Sequence, residues 1–236
     1  MPSEHIVKSF DDELNTLENI IAEMGGLAEH QLAEAIDALI HRDVERARRV
    51  AAADVRIDAL EARIDQRAVA LLALRQPMAT DLRFIIATLK ISGIIERIGD
   101  YAKNVAKRCG ALSEVPPQPP AVTVARMGRL AQQMVKDVLD AFRDRDVEKA
   151  EQVRARDEEV DALYTSIFRE LLTYMMEDPR NITPCTHLLF VAKNIERVGD
   201  HATNIAETVQ YVVRGEMPHD DRRKGDDSSL TVMAPR

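Results

Sequence analysis

Glu96, Asp100 and Asn104 stand at i, i+4 and i+8 in "ERIGDYAKNVA" (96–106), and the same residue types return as Glu196, Asp200 and Asn204 in "ERVGDHATNIA" (196–206). On a helix these positions climb one side with a drift of about 40° per step. Each half carries a second acidic pair at i, i+4: Asp54 with Asp58, then Asp157 with Asp161. Carboxylates so spaced disfavour a helix by roughly 0.2–0.5 kcal/mol, so something should offset the repulsion in both copies. Antiparallel helices could set each DxxxD beside an ExxxD and make a patch of four carboxylates. Oxygen-rich patches bind hard or borderline divalent and trivalent metals, with iron, zinc, manganese and magnesium as candidates. A solvated charged face relieved by local salt bridges is the plainer alternative. Lys103 follows Asp100 by three and Arg154 precedes Asp157 by three, whereas position 203 is Thr.

The elements that must position these acids are long and helical. Apolar residues recur every three or four positions from Ser3 to Ile40, interrupted by Gly25-Gly26, where a kink or a close helix contact is expected. A second segment starts after Asp43, a good N-cap, and reaches Leu74, with Val50, Ile57, Ile64 and Leu71 seven apart, the seam of a bundled helix. "RQPMATD" breaks the pattern at Pro77, and a third helix is predicted from Met78 to Arg108. "GALSEVPPQPP" (110–120) is a semi-rigid linker, because four prolines and a glycine cannot continue a helix. The scheme then repeats over 121–143, 146–176 and 183–214. "HRDVERA" (41–47) matches "DRDVEKA" (144–150), and "ADVRIDAL" (53–60) matches "RDEEVDAL" (156–163).

The expected fold is therefore all-α: two tandem, pseudo-symmetric, antiparallel three-helix bundles from a duplicated ancestor, over 1–110 and 121–215. Residues 111–120 are the linker, and 216–236, which lacks a period, is expected to be a disordered tail. On the third helix, Phe84, Ile91, Ile95, Ile98 and Ala102 share one stripe, while Arg83, Lys90, Arg97 and Arg108 share another. Glu96 and Asp100 lie roughly 120–160° from the apolar centre, which points them outward and places any metal at the bundle surface. Gly99 and Gly199 remove bulk beside each pair, admitting an ion or a neighbouring helix. His201 replaces Tyr101 and lies about 100° from the acids, so it reads as a surface residue rather than a ligand. The basic stripe, with Arg197 its counterpart in the second copy, is a candidate contact for acidic partners or a membrane surface.

Composition excludes several classes. A net charge of −8 argues against a nucleic-acid partner. Cys109 and Cys185 show no metal or redox spacing and fit a reducing compartment. The opening "MPSEHIVKSFDDELN" lacks the basic and apolar regions of a signal peptide, and no apolar run approaches the ~20 residues that span a bilayer, so a cytoplasmic location is expected. Di-iron bundles need Glu-x-x-His on a core helix; the only such spacing, Glu216 to His219, is broken by Pro218. No phosphate loop, HExxH or supported Ser/His/Asp set occurs, and the chain does not read as an enzyme.

"MGGLAEHQL", "RQPMATDLRFI", "LKISGIIERIGDYA", "VLDAFRDRDVEKA", "LTYMMEDPRNI" and "ERVGDHATNI", in this order, resemble the PhoU family of bacterial phosphate-signalling accessory proteins over nearly the whole chain. The resemblance implies two homologous three-helix bundles whose E/DxxxD motifs bind metal at the bundle surface. Carried over, that role falls to Asp54, Asp58, Glu96 and Asp100, and to Asp157, Asp161, Glu196 and Asp200, with Asn104 and Asn204 as weaker candidates. It further implies a negative regulator of the phosphate-starvation response and of phosphate uptake. Such a protein links the phosphate importer's ATPase to a membrane sensor histidine kinase and meets the membrane only through these partners. A homodimer is expected. A metal-storage bundle and a metal-free helical scaffold are the alternatives.

Overall fold

The computed structural model describes residues 2–117, 119–218, 226 and 228–231, with side chains from Phe10 onward. Its helices are α1 (Pro2–His41), α2 (Val44–Ala53), α3 (Val55–Arg75), α4 (Ala79–Ser113), α5 (Ala121–Asp144), α6 (Val147–Glu177) and α7 (Ile182–Arg214). This is the expected all-helical, twice-repeated architecture. Two boundaries differ from the sequence reading. The second predicted helix is divided at Asp54, whose carbonyl accepts from the Ile57 N–H at 2.8 Å in a tighter register than the α-helical one. The third runs past Arg108 into the expected linker. Its last carbonyls are capped by the Arg42 guanidinium, which donates to Leu112 O at 3.0 Å, Ser113 O at 2.7 Å and Val115 O.

The repeat is visible at the first turn of each half. Arg42 and Arg145 both adopt left-handed backbone, with φ of 57° and 56°. Each is followed by an N-cap aspartate: Asp43 accepts from Arg46 N at 2.8 Å, and Asp146 from Lys149 N at 2.9 Å. Two equivalent turns thus reverse α1 into α2 and α5 into α6.

The first and last helices of the two halves form a ring, α1 beside α4, α4 beside α7, α7 beside α5 and α5 beside α1. α2 and α3 cover the α1–α4 side, and α6 covers the α5–α7 side. The buried apolar side chains of all seven helices make one continuous core rather than one per half. Gly25 explains part of this closeness: a Cβ there would stand 2.6 Å from Leu139 Cδ1 on α5. The glycine pair in α1 therefore marks a close contact, and the helix runs through it without a break.

Val50, Ile57, Ile64 and Leu71 are all buried, as their seven-residue spacing predicts. Most of the expected tail over 216–236 lies outside the described residues. Within it, Ser228–Leu230 forms a 3-10 turn against α6.

Candidate acidic sites

The first acidic site lies in the groove between α3 and α4. These helices run antiparallel, which sets Asp54 level with Gly99 and Glu61 level with Gly93. Asp54 is only 4 % exposed. Its Oδ1 accepts from the Gln31 amide of α1 at 3.0 Å, and its Oδ2 from the Lys103 ammonium at 2.5 Å. Lys103 also donates to Asp100 Oδ1 at 3.4 Å, so one ammonium bridges carboxylates of two helices. The Asp54 hydrogen bond, foremost, raises the Lys103 pKa. One turn earlier, burial first and the Asp100 charge second raise the Glu96 pKa, and Glu61 adds to the effect. Asp58 is exposed, and its charge acts on Glu61. Asn104 is exposed.

The second site, between α6 and α7, is the more deeply covered. Asp157 is 1 %, Asp161 2 % and Glu196 4 % exposed, while Asp200 and Asn204 are half-buried. Gly199 permits this approach: a Cβ there would stand 2.9 Å from Asp157 Oδ1 and 3.3 Å from Val160 Cγ1. Glu196 Oε1 accepts from Lys193 Nζ at 2.8 Å, and its buried Oε2 has no hydrogen-bond donor among the described residues. Lys193 also reaches Asp226 at 3.5 Å and lies over the Tyr164 ring. Burial, above all, raises the Glu196 pKa; Lys193 opposes the rise, and the charges of Asp200 and Asp161 reinforce it.

Glu96 and Asp100, expected to point outward, are half-buried, and the surface placement expected for the motifs as a whole is wrong for Asp54, Asp157, Asp161 and Glu196, which are buried. The helical wheel was centred on one bundle's core, whereas the outer helix of each half covers its acid-bearing neighbour and shuts the flank. The sequence reading also missed Gln31, Glu61, Lys193 and Asp226. Glu61 follows Asp58 by three, and that spacing would have extended the acidic row. Lys193 precedes Glu196 by three, a signal of the same kind, whereas Gln31 and Asp226 act through tertiary contact and leave no local signal.

Between the two sites α4 crosses α7, and the equivalent residues Tyr101 and His201 meet there. Their ring centroids are 5.4 Å apart, and Tyr101 Oη lies 3.3 Å from His201 Nε2. His201 is thus a half-buried contact residue, not a surface one. Of the basic residues singled out, Lys90, Arg97 and Arg197 are exposed. Arg97 lies 3.6 Å from Glu96, and Arg197 sits 5.8 Å from the Tyr101 ring centre. Arg83 instead covers the end of α7: a Cβ on Gly215 would stand 3.1 Å from its Nη1. A cation is favourable there because the last helical carbonyls carry partial negative charge.

The repeated geometry has a counterpart in known proteins. The model of the PhoU domain matches this sequence twice, over residues 21–109 and 124–209. The chain belongs to the PhoU family. It is 50 % identical over 230 residues to the phosphate-specific transport system accessory protein PhoU homolog of Rhizobium meliloti, covering 97 % of each chain. To the protein of the same name from Caulobacter vibrioides it is 52 % identical over 225 residues, covering 95 % of this chain and 98 % of the other. The crystal structure of PhoU from Pseudomonas aeruginosa superposes with a TM-score of 0.85 at 43 % identity, covering 88 % of this chain and all of the other. That of the phosphate transport system regulatory protein PhoU from Streptococcus pneumoniae gives 0.81 at 29 % identity, covering 89 % and 99 %.

Neither half gathers, among its described residues, the ligand set that the resemblance implies. Among the described residues, no three His, Cys, Asp or Glu side chains are gathered so as to hold a metal ion. In the first half a lysine ammonium already lies between the carboxylates. In the second half the Lys193 ammonium likewise engages Glu196 Oε1 at 2.8 Å, while the buried Oε2 has no hydrogen-bond donor among the described residues.

Proposed function

We propose that this chain is a cytoplasmic, non-enzymatic negative regulator of phosphate uptake and of the phosphate-starvation response. In this reading it works as an adaptor between the phosphate importer's ATPase and a sensor histidine kinase, and assembles as a homodimer. The observation that carries the proposal is the double match to the PhoU domain together with near-full-length similarity to accessory proteins of phosphate transport. The fold suits the task physically. α1 alone has 40 residues, about 60 Å of rigid helix, so two partners can be met at once without crowding. No helix among the described residues is long and apolar enough to cross a membrane, which leaves membrane proximity to the partners. Lys90, Arg97 and Arg197 are the basic side chains available to an acidic partner, and the nearby apolar side chains Leu82 and Ile86 are exposed.

The experiment is a paired one. Deleting the gene should raise a phosphate-starvation reporter in phosphate-replete cells, and the tagged chain should capture the importer ATPase and the kinase in a phosphate-dependent way. Unchanged reporter output in the deletion strain would overturn the regulatory reading. Capture of neither partner would overturn the adaptor role alone.

A bound iron, zinc, manganese or magnesium ion belongs to the proposal for the second acidic site. The metal-free scaffold is favoured in the first half by one observation, the Lys103 ammonium bridging Asp54 and Asp100. Metal analysis of the purified chain, with and without Glu196→Gln, distinguishes the two.

A further inference from the structure

A pocket of about 270 Å³ opens where the two halves join, between the end of α1, the end of α4, the proline linker and the start of α5. Buried Leu39, Leu112 and Leu188 line it from α1, α4 and α7, and Pro116 and Pro117 of the linker add a stiff wall. Ile40 and Val122 also line it and are 41 % and 75 % exposed, apolar surface that an apolar body would take out of water. In a chain with 40 acidic residues and a net charge of −8, none of the described lining residues is acidic, and two are arginines. The two arginines are differently placed. Arg42 is committed to the Leu112, Ser113 and Val115 carbonyls at the end of α4. Arg129 is exposed and forms no ion pair among the described residues, which leaves its guanidinium available at the pocket. A guanidinium presents a planar fork that matches one carboxylate through two parallel hydrogen bonds. An apolar pocket with one such donor selects an anion that carries an apolar body.

We propose that this pocket binds a medium-chain carboxylate, its tail against Leu39, Leu112 and the linker prolines and its head on Arg129. The occupant touches both halves at once, α1 and α4 of the first and α5 and α7 of the second. The proposal does not depend on the regulatory reading above.

The test is calorimetric titration of the full chain with octanoate below its micelle-forming concentration, with octanol as the uncharged control, for wild type, Arg129→Gln and Ala121→Phe. Wild type should bind one equivalent of octanoate and hold octanol about tenfold more weakly, the worth of one charge-assisted hydrogen bond. Arg129→Gln should weaken octanoate by about the same factor and leave octanol unchanged, a split that a merely structural role would not give. Ala121→Phe fills space at a half-buried lining position and should weaken both. The chain has no tryptophan, so Val122→Trp places a single fluorophore at the pocket, and its emission should shift to the blue as octanoate binds. Arg129 and Val122 are exposed, so their variants report even where Ala121→Phe folds poorly. No saturable binding, equal affinity of wild type for octanoate and octanol, or Arg129→Gln as tight as wild type would overturn the proposal. Emission from Val122→Trp that stays unmoved at saturating octanoate would overturn it as well.

Discussion

Tyr101 and His201 are equivalent residues of the two halves, and they stack on each other with ring centroids 5.4 Å apart. Equivalent positions can touch only where a pseudo-two-fold axis passes between them, so the axis of the duplication lies at this pair. Arg97 and Arg197 flank it, and both act electrostatically on His201. The duplicated sequence has thus been folded into an internal dimer whose interface centre is a tyrosine–histidine pair.

His201 makes that centre sensitive to acid. Burial first, and then the positive charges of Arg97 and Arg197, lower its pKa from 6.5, against an opposing pull from Asp200. A histidine with a lowered folded-state value contributes stability above pH 6.5 and loses it as pH falls through the folded value. The urea midpoint should therefore drop between about pH 8 and about pH 5.5. His201→Tyr, which copies the other half, should shrink that drop. An equal drop in both proteins would remove His201 from the account.

Gly199 and Gly99 should respond differently to alanine. Each gains roughly 0.5–1 kcal/mol of helix propensity. At 99 the added carbon meets the far end of Ile57, which can rotate away; at 199 it meets Asp157 Oδ1 and the stiff Val160. Overpacking costs about 1–3 kcal/mol, so Gly199→Ala should be destabilised by up to about 2 kcal/mol net of that gain, while Gly99→Ala is neutral or slightly stabilised. Chemical denaturation of both variants measures the difference, and equal midpoints would contradict it.

Removing the Arg42 guanidinium should loosen the junction of the halves. Charged hydrogen bonds contribute about 1.5–3 kcal/mol, and Arg42 donates to three carbonyls at the end of α4. Arg42→Ala should lose about 2 kcal/mol and become susceptible to limited proteolysis around residues 114–120. Unchanged cleavage and an unchanged melting temperature would show that α4 ends there without help.

Glu96→Ala combined with Asp100→Ala should leave the far-UV circular dichroism intact. Both side chains are only half-buried, and burial first, with the Asp100 charge second, disfavours the ionised Glu96. The unfolding free energy measured by urea titration should change by no more than about 1 kcal/mol. A large loss of helical signal would mean that the pair anchors α4.

Most of the architecture was legible because it is local. The three- and four-residue apolar spacing, the aspartate N-caps after Arg42 and Arg145, and the prolines at the turns each fix one element from its own neighbours. The site was half legible. The repeated acids and the glycines beside them are periodic and therefore visible, but their orientation depends on which helix covers them. Lys103 could be read as a neighbour of Asp100, three positions away. Its shorter contact, with Asp54 across the groove, exists only once α3 and α4 are placed together. Gln31 likewise reaches Asp54 from a helix more than twenty residues away in the chain.

The unbroken core changes what the duplication means. A gene cut at the proline linker would not release two working copies of the ancestor. Each fragment would carry a naked apolar wall where α1 had met α5 and α4 had met α7, and would have to find a mate to stay in solution. What began as two interchangeable pieces has become indivisible.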